Sequence, residues 1–196
     1  MILRAIKKQV KFIIVPIWFI RYKFMNSLFL GLSVGAVFTL YSPLNPSIYS
    51  LGGIFLAIGI LMVSRFYHKI LNAYYLFIIS LFVEVVLLIA MVYFLFSPYE
   101  YQSALIIYIA YQATFIFGSY LVRAETLLLV EDRLLTRVDT AKQLGYLLGM
   151  AISYLFYRVL DYYTITDSQT QVYDLHFVLI FVEVVVIWLV VRSFRR

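Results

Sequence analysis

Six apolar stretches, each close to the length of a membrane-spanning helix, constrain this chain more than any other feature of its sequence. They lie at about residues 25–42, 48–64, 72–96, 103–122, 143–160 and 174–191. A helix needs roughly 20 residues to cross a bilayer, and continuous apolar runs of this length do not fit the alternating strands of a membrane β-barrel. Only 13% of the residues are charged, about half the share found in soluble domains. The sequence therefore predicts an all-α, multi-pass membrane protein with six transmembrane helices.

Basic residues are distributed unevenly among the loops that join these stretches. Of the 16 lysines and arginines, only Arg158 lies near the loops on one side. The others precede the first stretch, follow the last one, or lie in the loops between stretches two and three and between four and five. Because positively charged loops remain in the cytoplasm, we predict that both termini are cytoplasmic. In a bacterium the protein would lie in the inner (cytoplasmic) membrane.

Residues 1–24 form a basic segment ahead of the first stretch. Its apolar run, 12–20, is too short to span a membrane and is closed by Arg21 and Lys23. No small-residue cleavage site follows, which argues against a signal peptide. We predict an interfacial helix with Trp18 at headgroup level and lysines facing anionic lipid headgroups. The six-helix bundle would then occupy residues 25–196.

The motif Phe-Val-Glu-Val-Val occurs twice, at 82–86 and at 181–185. One explanation is a 3+3 internal duplication, whose copies must have inverted topology because each contains an odd number of spans. The other is coincidence in a chain rich in valine and phenylalanine. In both cases Glu84 and Glu183 fall near the bilayer midplane, where ionisable side chains are costly and often functional. We identify them as candidate proton-coupling residues; the alternative is that they are protonated structural groups bonded to neighbouring helices.

Polar side chains recur at helical spacing in the fourth stretch. They are Tyr108, Gln112, Ser119 and Arg123. A glutamine inside a membrane needs a polar partner or water, so this face is a candidate lining for a substrate cavity. The alternative is a hydrogen bond from Gln112 to an adjacent helix.

Small residues mark one face of each of two stretches. They are Gly53 and Ala57 in the second stretch and Gly145, Gly149 and Ser153 in the fifth. Such faces let helix backbones approach closely in lipid. We predict that they mediate self-association or docking of a partner, and packing inside the bundle is the alternative.

The region around the fifth stretch resembles the major facilitator superfamily of transporters. The resemblance rests on Arg-Ala-Glu-Thr-Leu-Leu-Leu-Val at 123–130, Leu-Leu-Thr-Arg-Val at 134–138 and Gly-Tyr-Leu-Leu-Gly at 145–149. It covers mainly residues 119–156 and implies one six-helix half of that fold, including its inverted 3+3 repeat. Two departures stand against it. Residues 64–69 keep basic side chains but lack the aspartate and glycines of the family's loop pattern, and the chain contains one half where the family has two.

No enzyme signature accompanies these features. The chain has no cysteine and two histidines, and it has no Walker lysine, Rossmann glycine string or nucleophile elbow. We predict no catalysis, no metal, no cofactor and no nucleic-acid partner. Two hypotheses remain open. The first is an integral membrane subunit with a major-facilitator-like half fold that docks with itself or with a larger membrane complex. The second is a homodimeric, half-size secondary transporter of a small solute, with proton coupling as an option.

Overall fold

The computed structural model describes residues 12–195, which contain eight helices and one short pair of strands. The elements are β1 Ile13–Ile14, α1 Pro16–Tyr41, α2 Pro46–Arg65, α3 Tyr67–Ile70, α4 Ala73–Phe96, α5 Tyr101–Ile116, α6 Gly118–Leu128, α7 Asp132–Tyr162, α8 Ser168–Ser193 and β2 Phe194–Arg195. Five segments are long and apolar enough to cross a membrane: α1, α2, α4, the combined α5 and α6, and α8. The prediction of an all-α, multi-pass membrane protein is confirmed.

The fifth predicted span, residues 143–160, corresponds to α7, which is not among these five segments. This helix has 31 residues, but charged side chains crowd its first third, and uncharged sequence extends only over residues 143–157. It nevertheless lies beside α1 and runs in the same direction. Gly145 packs against Phe24, and two turns later in both helices the Ser153 hydroxyl donates to the Leu32 carbonyl, so the two helices are parallel. The count of six crossings therefore stays a prediction that depends on α7.

Prolines and caps set the helix ends where the sequence predicts turns. Pro46 occupies the first turn of α2, where its missing N–H costs no hydrogen bond. The Asn72 side chain accepts from the Tyr75 amide at the start of α4. Asp167 accepts the Thr170 amide at 2.8 Å and so caps α8. The predicted loops at 42–47 and 97–100 lie between α1 and α2 and between α4 and α5.

The first described residues are part of the bundle and do not form a separate interfacial helix. Pro16 starts α1, and the helix then continues to Tyr41 without a break, so the predicted boundary between residues 24 and 25 falls inside it. The physical reason is that no helix-breaking residue follows Pro16 until Ser42-Pro43. The rest of the predicted interfacial segment, residues 1–11, lies outside the described residues.

Both ends of the described chain lie at the same end of the bundle. Ile13 pairs with Arg195 in the antiparallel β1–β2 ladder. The Val15 amide donates to the Ser193 carbonyl at 2.8 Å, which ties the start of α1 to the end of α8. We call this the basic end, because Lys23, Lys142 and Arg192 also lie there.

The helix α1 occupies the centre of the bundle. It packs along α7 on one side and α8 on another, while α4 packs against α8 and α5 against α4. Its inward side chains, including Phe19, Phe29 and Leu32, are almost fully buried. The helix α2 is peripheral, because it packs mainly on α5 and buries none of its residues against the described chain.

Candidate functional site

The two glutamates of the repeated motif meet in the interior, between α4 and α8. These helices run antiparallel, as the contacts of Phe94 with His176 and of Phe77 with Phe194 show. Glu84 and Glu183 are 1% and 0% exposed. Each carboxyl lies within electrostatic range of the other. We refer to them as the carboxyl pair.

The two copies of the motif are buried in the same pattern. In each copy the phenylalanine is exposed, the following valine and glutamate are buried, the next valine is exposed and the last is half-buried. Phe82 and Phe181 thus point outward while both glutamates point into the α4–α8 interface. Corresponding residues of the two copies therefore share the same degree of burial.

Only one of the two carboxyls is hydrogen-bonded. The Tyr22 hydroxyl donates to Glu84 Oε1 at 2.9 Å, and the Asn26 amide donates to the same oxygen at 3.0 Å. Glu84 Oε2 and both oxygens of Glu183 have no hydrogen-bond partner within residues 12–195. The hydroxyl of Ser80, one turn before Glu84, is also buried without a partner there. Such groups are rare in folded proteins because each loses its bond to water.

The arrangement suits a bound proton. Two ionised carboxylates within electrostatic range of each other would repel strongly in a buried interior of low dielectric constant. One proton on either carboxyl removes one charge and supplies a donor for an unpartnered oxygen. The pair can therefore exist in two protonation states, and gain or loss of that proton changes its hydrogen bonding.

Sequence reasoning missed Tyr22 and Asn26, the two donors to Glu84. They are spaced i and i+4 on α1 and therefore share one helix face. That spacing was the available signal. The predicted boundary at residues 24/25 hid it, because it assigned Tyr22 to an interfacial segment and Asn26 to a span.

Four charged residues contact one another at the basic end, and we call them the charged cluster: Lys23, Glu125, Asp139 and Lys142. Lys23 follows Tyr22 directly on α1. Lys23 forms an ion pair with Glu125, and both side chains are buried. Lys142 contacts the other oxygen of Glu125 at 2.7 Å and Asp139 at 3.2 Å. Glu125 is 3% exposed, and its two ion pairs join α6 to α1 and α7.

The protonation of Lys142 reflects this contact. Burial of its ammonium lowers the pKa, but the negative charge of Glu125 and the hydrogen bonds to Glu125 and Asp139 outweigh burial and raise it above the usual lysine value. Lys142 is therefore charged at neutral pH and holds the start of α7 against α6.

The structure does not bring the four predicted cavity residues together around one cavity. Tyr108 lies near the end opposite the basic end, where its hydroxyl donates to the Tyr49 carbonyl at 3.2 Å. The Oε1 atom of Gln112 is buried without a partner in the described chain. Ser119 and Arg123 follow on α6, where the Ser119 and Tyr67 hydroxyls are 3.3 Å apart and the Arg123 guanidinium lies 5.6 Å from the Tyr67 ring centre. The break after Ile116 separates the two groups.

The small face of α7 packs inside the chain. A Cβ at Gly145 or Gly149 would collide with the carbonyl oxygens of Phe24 and Leu28, respectively. Ser153 donates to the Leu32 carbonyl at 3.1 Å. Because α1 of the same chain covers these three residues, this face is not available to a partner, and the packing alternative holds. In α2, by contrast, the Cβ position of Gly53 has no atom within 4 Å apart from the neighbouring residues of its own helix, and Ala57 is exposed.

No protein-family model, curated protein or solved structure matches this chain.

Proposed function

We propose that the protein is an integral membrane subunit with a major-facilitator-like six-helix half fold, and that it pairs with a second copy through the outer face of α2. In this proposal α7 also crosses the membrane, which brings the number of crossings to six, and both chain ends are cytoplasmic. The observation that carries the proposal is the position of α2. It is one of the five segments that are long and apolar enough to span a membrane, yet no residue of its apolar 18-residue stretch is buried. In the other four segments, between 33% and 44% of the corresponding stretch is buried.

The side chains of α2 favour a helix as the covering partner. Gly52 and Gly59 face α5, where added Cβ atoms would collide with Tyr108 and Ile116. Gly53 and Ala57 face away from the described chain. Small residues spaced by four let a second backbone approach closely, and the resulting van der Waals packing is one of the forces that associate helices in lipid. A twofold pairing of α2 with its copy would satisfy this requirement without a second gene product.

Oxidative crosslinking in native membranes tests the pairing, since the chain has no cysteine. Gly53→Cys should give a disulfide-linked product of twice the chain mass of 23.0 kDa. Phe181→Cys is the control, because this side chain is 70% exposed but lies on α8, which packs with α1 and α4. A product from Gly53→Cys that contains another protein would assign the face to a larger complex. Equal crosslinking of both variants, or none, would remove α2 as the interface.

Cysteine labelling also tests the orientation. Asp167→Cys should react with a membrane-impermeant maleimide added to intact cells. Ser64→Cys, at the other end of the bundle, should react only after the membrane is opened. Both residues are exposed, so the side of the membrane on which each one lies decides whether the reagent reaches it. Labelling of Asp167→Cys from the cytoplasmic side alone would overturn the proposed topology.

A second candidate function, proton-coupled transport of a small solute, is favoured by the three unpartnered oxygens of the carboxyl pair. Glutamine keeps hydrogen-bonding capacity but cannot bind or release a proton in this range. If the pair couples protons, Glu84→Gln and Glu183→Gln should abolish proton flux into liposomes while thermal stability is retained. Glu131→Gln is the matched control, because Glu131 is exposed and precedes α7.

The leucine variants separate coupling from a structural role. If the pair only stabilises the bundle, both glutamine variants should keep wild-type flux and stability. Glu84→Leu should then be the damaging change, because it leaves the buried donors Tyr22 and Asn26 without an acceptor. Equal proton flux in the wild type and both glutamine variants would exclude the coupling function.

A further inference from the structure

A cleft of about 710 Å³ lies at the basic end, between the start of α1, the first half of α7 and the end of α8. This volume is within the range of binding sites for small ligands, about 300–1,000 Å³. The cleft exists because α7 and α8 flank α1 and barely contact each other. Its walls are mainly apolar and include Trp18, Phe24, Leu144, Trp188 and Leu189.

The polar edge of this cleft is positive. Arg21 and Arg137 line it together with the hydroxyls of Thr136 and Thr140. Neither arginine has a carboxylate partner within residues 12–195, although both lysines of the charged cluster nearby are paired. The Arg21 guanidinium lies 4.8 Å from the Trp18 ring centre. The edge thus presents two cations without counterions above an apolar wall.

We propose that an anionic phospholipid of the surrounding bilayer occupies this cleft, with its phosphate bound by Arg21 and Arg137 and an acyl chain between Trp18 and Trp188. A guanidinium binds phosphate through two parallel N–H···O bonds, and threonine hydroxyls supply further donors. Tryptophans concentrate at the level of lipid headgroups, where their rings contact both chains and water. The inference is independent of the α2 interface and of the carboxyl pair.

The surroundings of the cleft favour a lipid over a segment of the same chain. Residues 1–11 carry four basic side chains and no acidic one, so they do not complement the two arginines. Trp188 is 48% exposed and Ile17 is 58% exposed. Large apolar side chains that remain exposed beside the cleft are in contact with acyl chains in a bilayer, which gives a lipid direct access to it.

Tryptophan fluorescence reports on this cleft selectively, because the chain has only two tryptophans and both line it. The protein is reconstituted into phosphatidylcholine vesicles that contain increasing fractions of phosphatidylglycerol with brominated acyl chains, which quench nearby indoles. Brominated phosphatidylcholine serves as the zwitterionic probe. We expect phosphatidylglycerol to reach half-maximal quenching at a mole fraction roughly tenfold lower than phosphatidylcholine does.

Variants divide the proposed site into its two parts. Arg21→Gln combined with Arg137→Gln should bring the two quenching curves together by removing the preference for the anionic lipid. Thr140→Phe, at an exposed position on the cleft edge, should reduce quenching by both lipids because it fills the space. Arg158→Gln is the matched control, since Arg158 is exposed at the other end of α7 and pairs with Asp161. Circular dichroism verifies that each variant is folded.

Two results would overturn the proposal. One is equal quenching of the wild type by the two brominated lipids. The other is an unchanged preference for phosphatidylglycerol in the folded double arginine variant, which would assign the preference to other basic residues of the chain. Mass spectrometry of the detergent-solubilised protein gives an independent reading. The wild type and Arg158→Gln should retain one phosphatidylglycerol, and the double arginine variant should lose it.

Discussion

Replacement of Gly149 by alanine tests the α1–α7 contact on which the centre of the bundle depends. A Cβ at this position would meet the Leu28 carbonyl oxygen, lie 2.9 Å from the Leu32 nitrogen and lie 3.0 Å from the Gly31 Cα. Ordinary contacts of carbon atoms begin near 3.5 Å. All three atoms belong to the backbone, so no side-chain rotation relieves the clash. The axis of α1 must therefore move away from α7 by at least about half an ångström.

The expected cost follows from the tight packing of this contact. Inserting one methyl group into a well-packed interior costs about 1–3 kcal/mol. For a chain of this size, each kcal/mol lowers the melting temperature by about 2–4 °C. We therefore expect Gly149→Ala to melt about 2–12 °C below the wild type. Gly149→Leu should prevent α1 and α7 from packing at all, and its first effect is on folding and not on association.

Gly118→Ala is the matched control, because it adds the same methyl group to another helical glycine, which lies in α6 outside the proposed α2 interface. Apart from the neighbouring residues of its own helix, no atom of the described chain lies within 4 Å of the Cβ position at Gly118. The substitution should leave the melting temperature unchanged or raise it slightly, since alanine favours helix by up to about 1 kcal/mol over glycine. Thermal unfolding in mild detergent, followed by circular dichroism, measures both variants. Equal melting temperatures for Gly149→Ala and Gly118→Ala would refute the packing argument.

Three further predictions concern single polar contacts. Tyr22→Phe removes one donor to the carboxyl pair and should lower stability by about 1–3 kcal/mol, measured by thermal unfolding at neutral pH; an unchanged melting temperature would contradict this. The pKa of Lys142 is raised because the charge of Glu125 outweighs burial. The stability that this ion pair gives the fold is therefore complete below about pH 10.5 and is lost as the pH rises further. Lys142→Met should lack this loss of stability at alkaline pH. The pKa of Asp167 is lowered by hydrogen bonds from the Thr170 amide and hydroxyl, so its cap of α8 should be lost only as the pH falls through that lowered value. In the wild type, the Thr170 amide should be protected from hydrogen exchange except in acid, where Asp167 is protonated. In Asp167→Ala, this protection should be absent at every pH.

Helix positions and turns were accessible from the sequence because their causes are local. Apolar runs of span length and the prolines at 43, 46 and 98 predict both ends of α2 and α4, the end of α1 and the start of α5 to within two residues, but not the start of α1. That start was missed because Arg21 and Lys23 suggested an end to the apolar run. In the structure Lys23 is buried in an ion pair with Glu125, more than a hundred residues away in sequence. A charge neutralised by a distant partner cannot be recognised from its neighbours.

Apolar runs and the repeated motif were enough to predict a bundle of membrane helices with Glu84 and Glu183 in the middle of two of them. The packing of the helices was needed to show that these carboxyls lie within electrostatic range of each other, that Tyr22 and Asn26 bind one of them, and that the small face of α7 is covered by α1. The physical reason is that helical periodicity specifies which residues share a face, but not what lies opposite that face. In a membrane protein hydropathy gives no help, because lipid and protein interior are equally apolar. The partner of each face is therefore set by long-range packing alone.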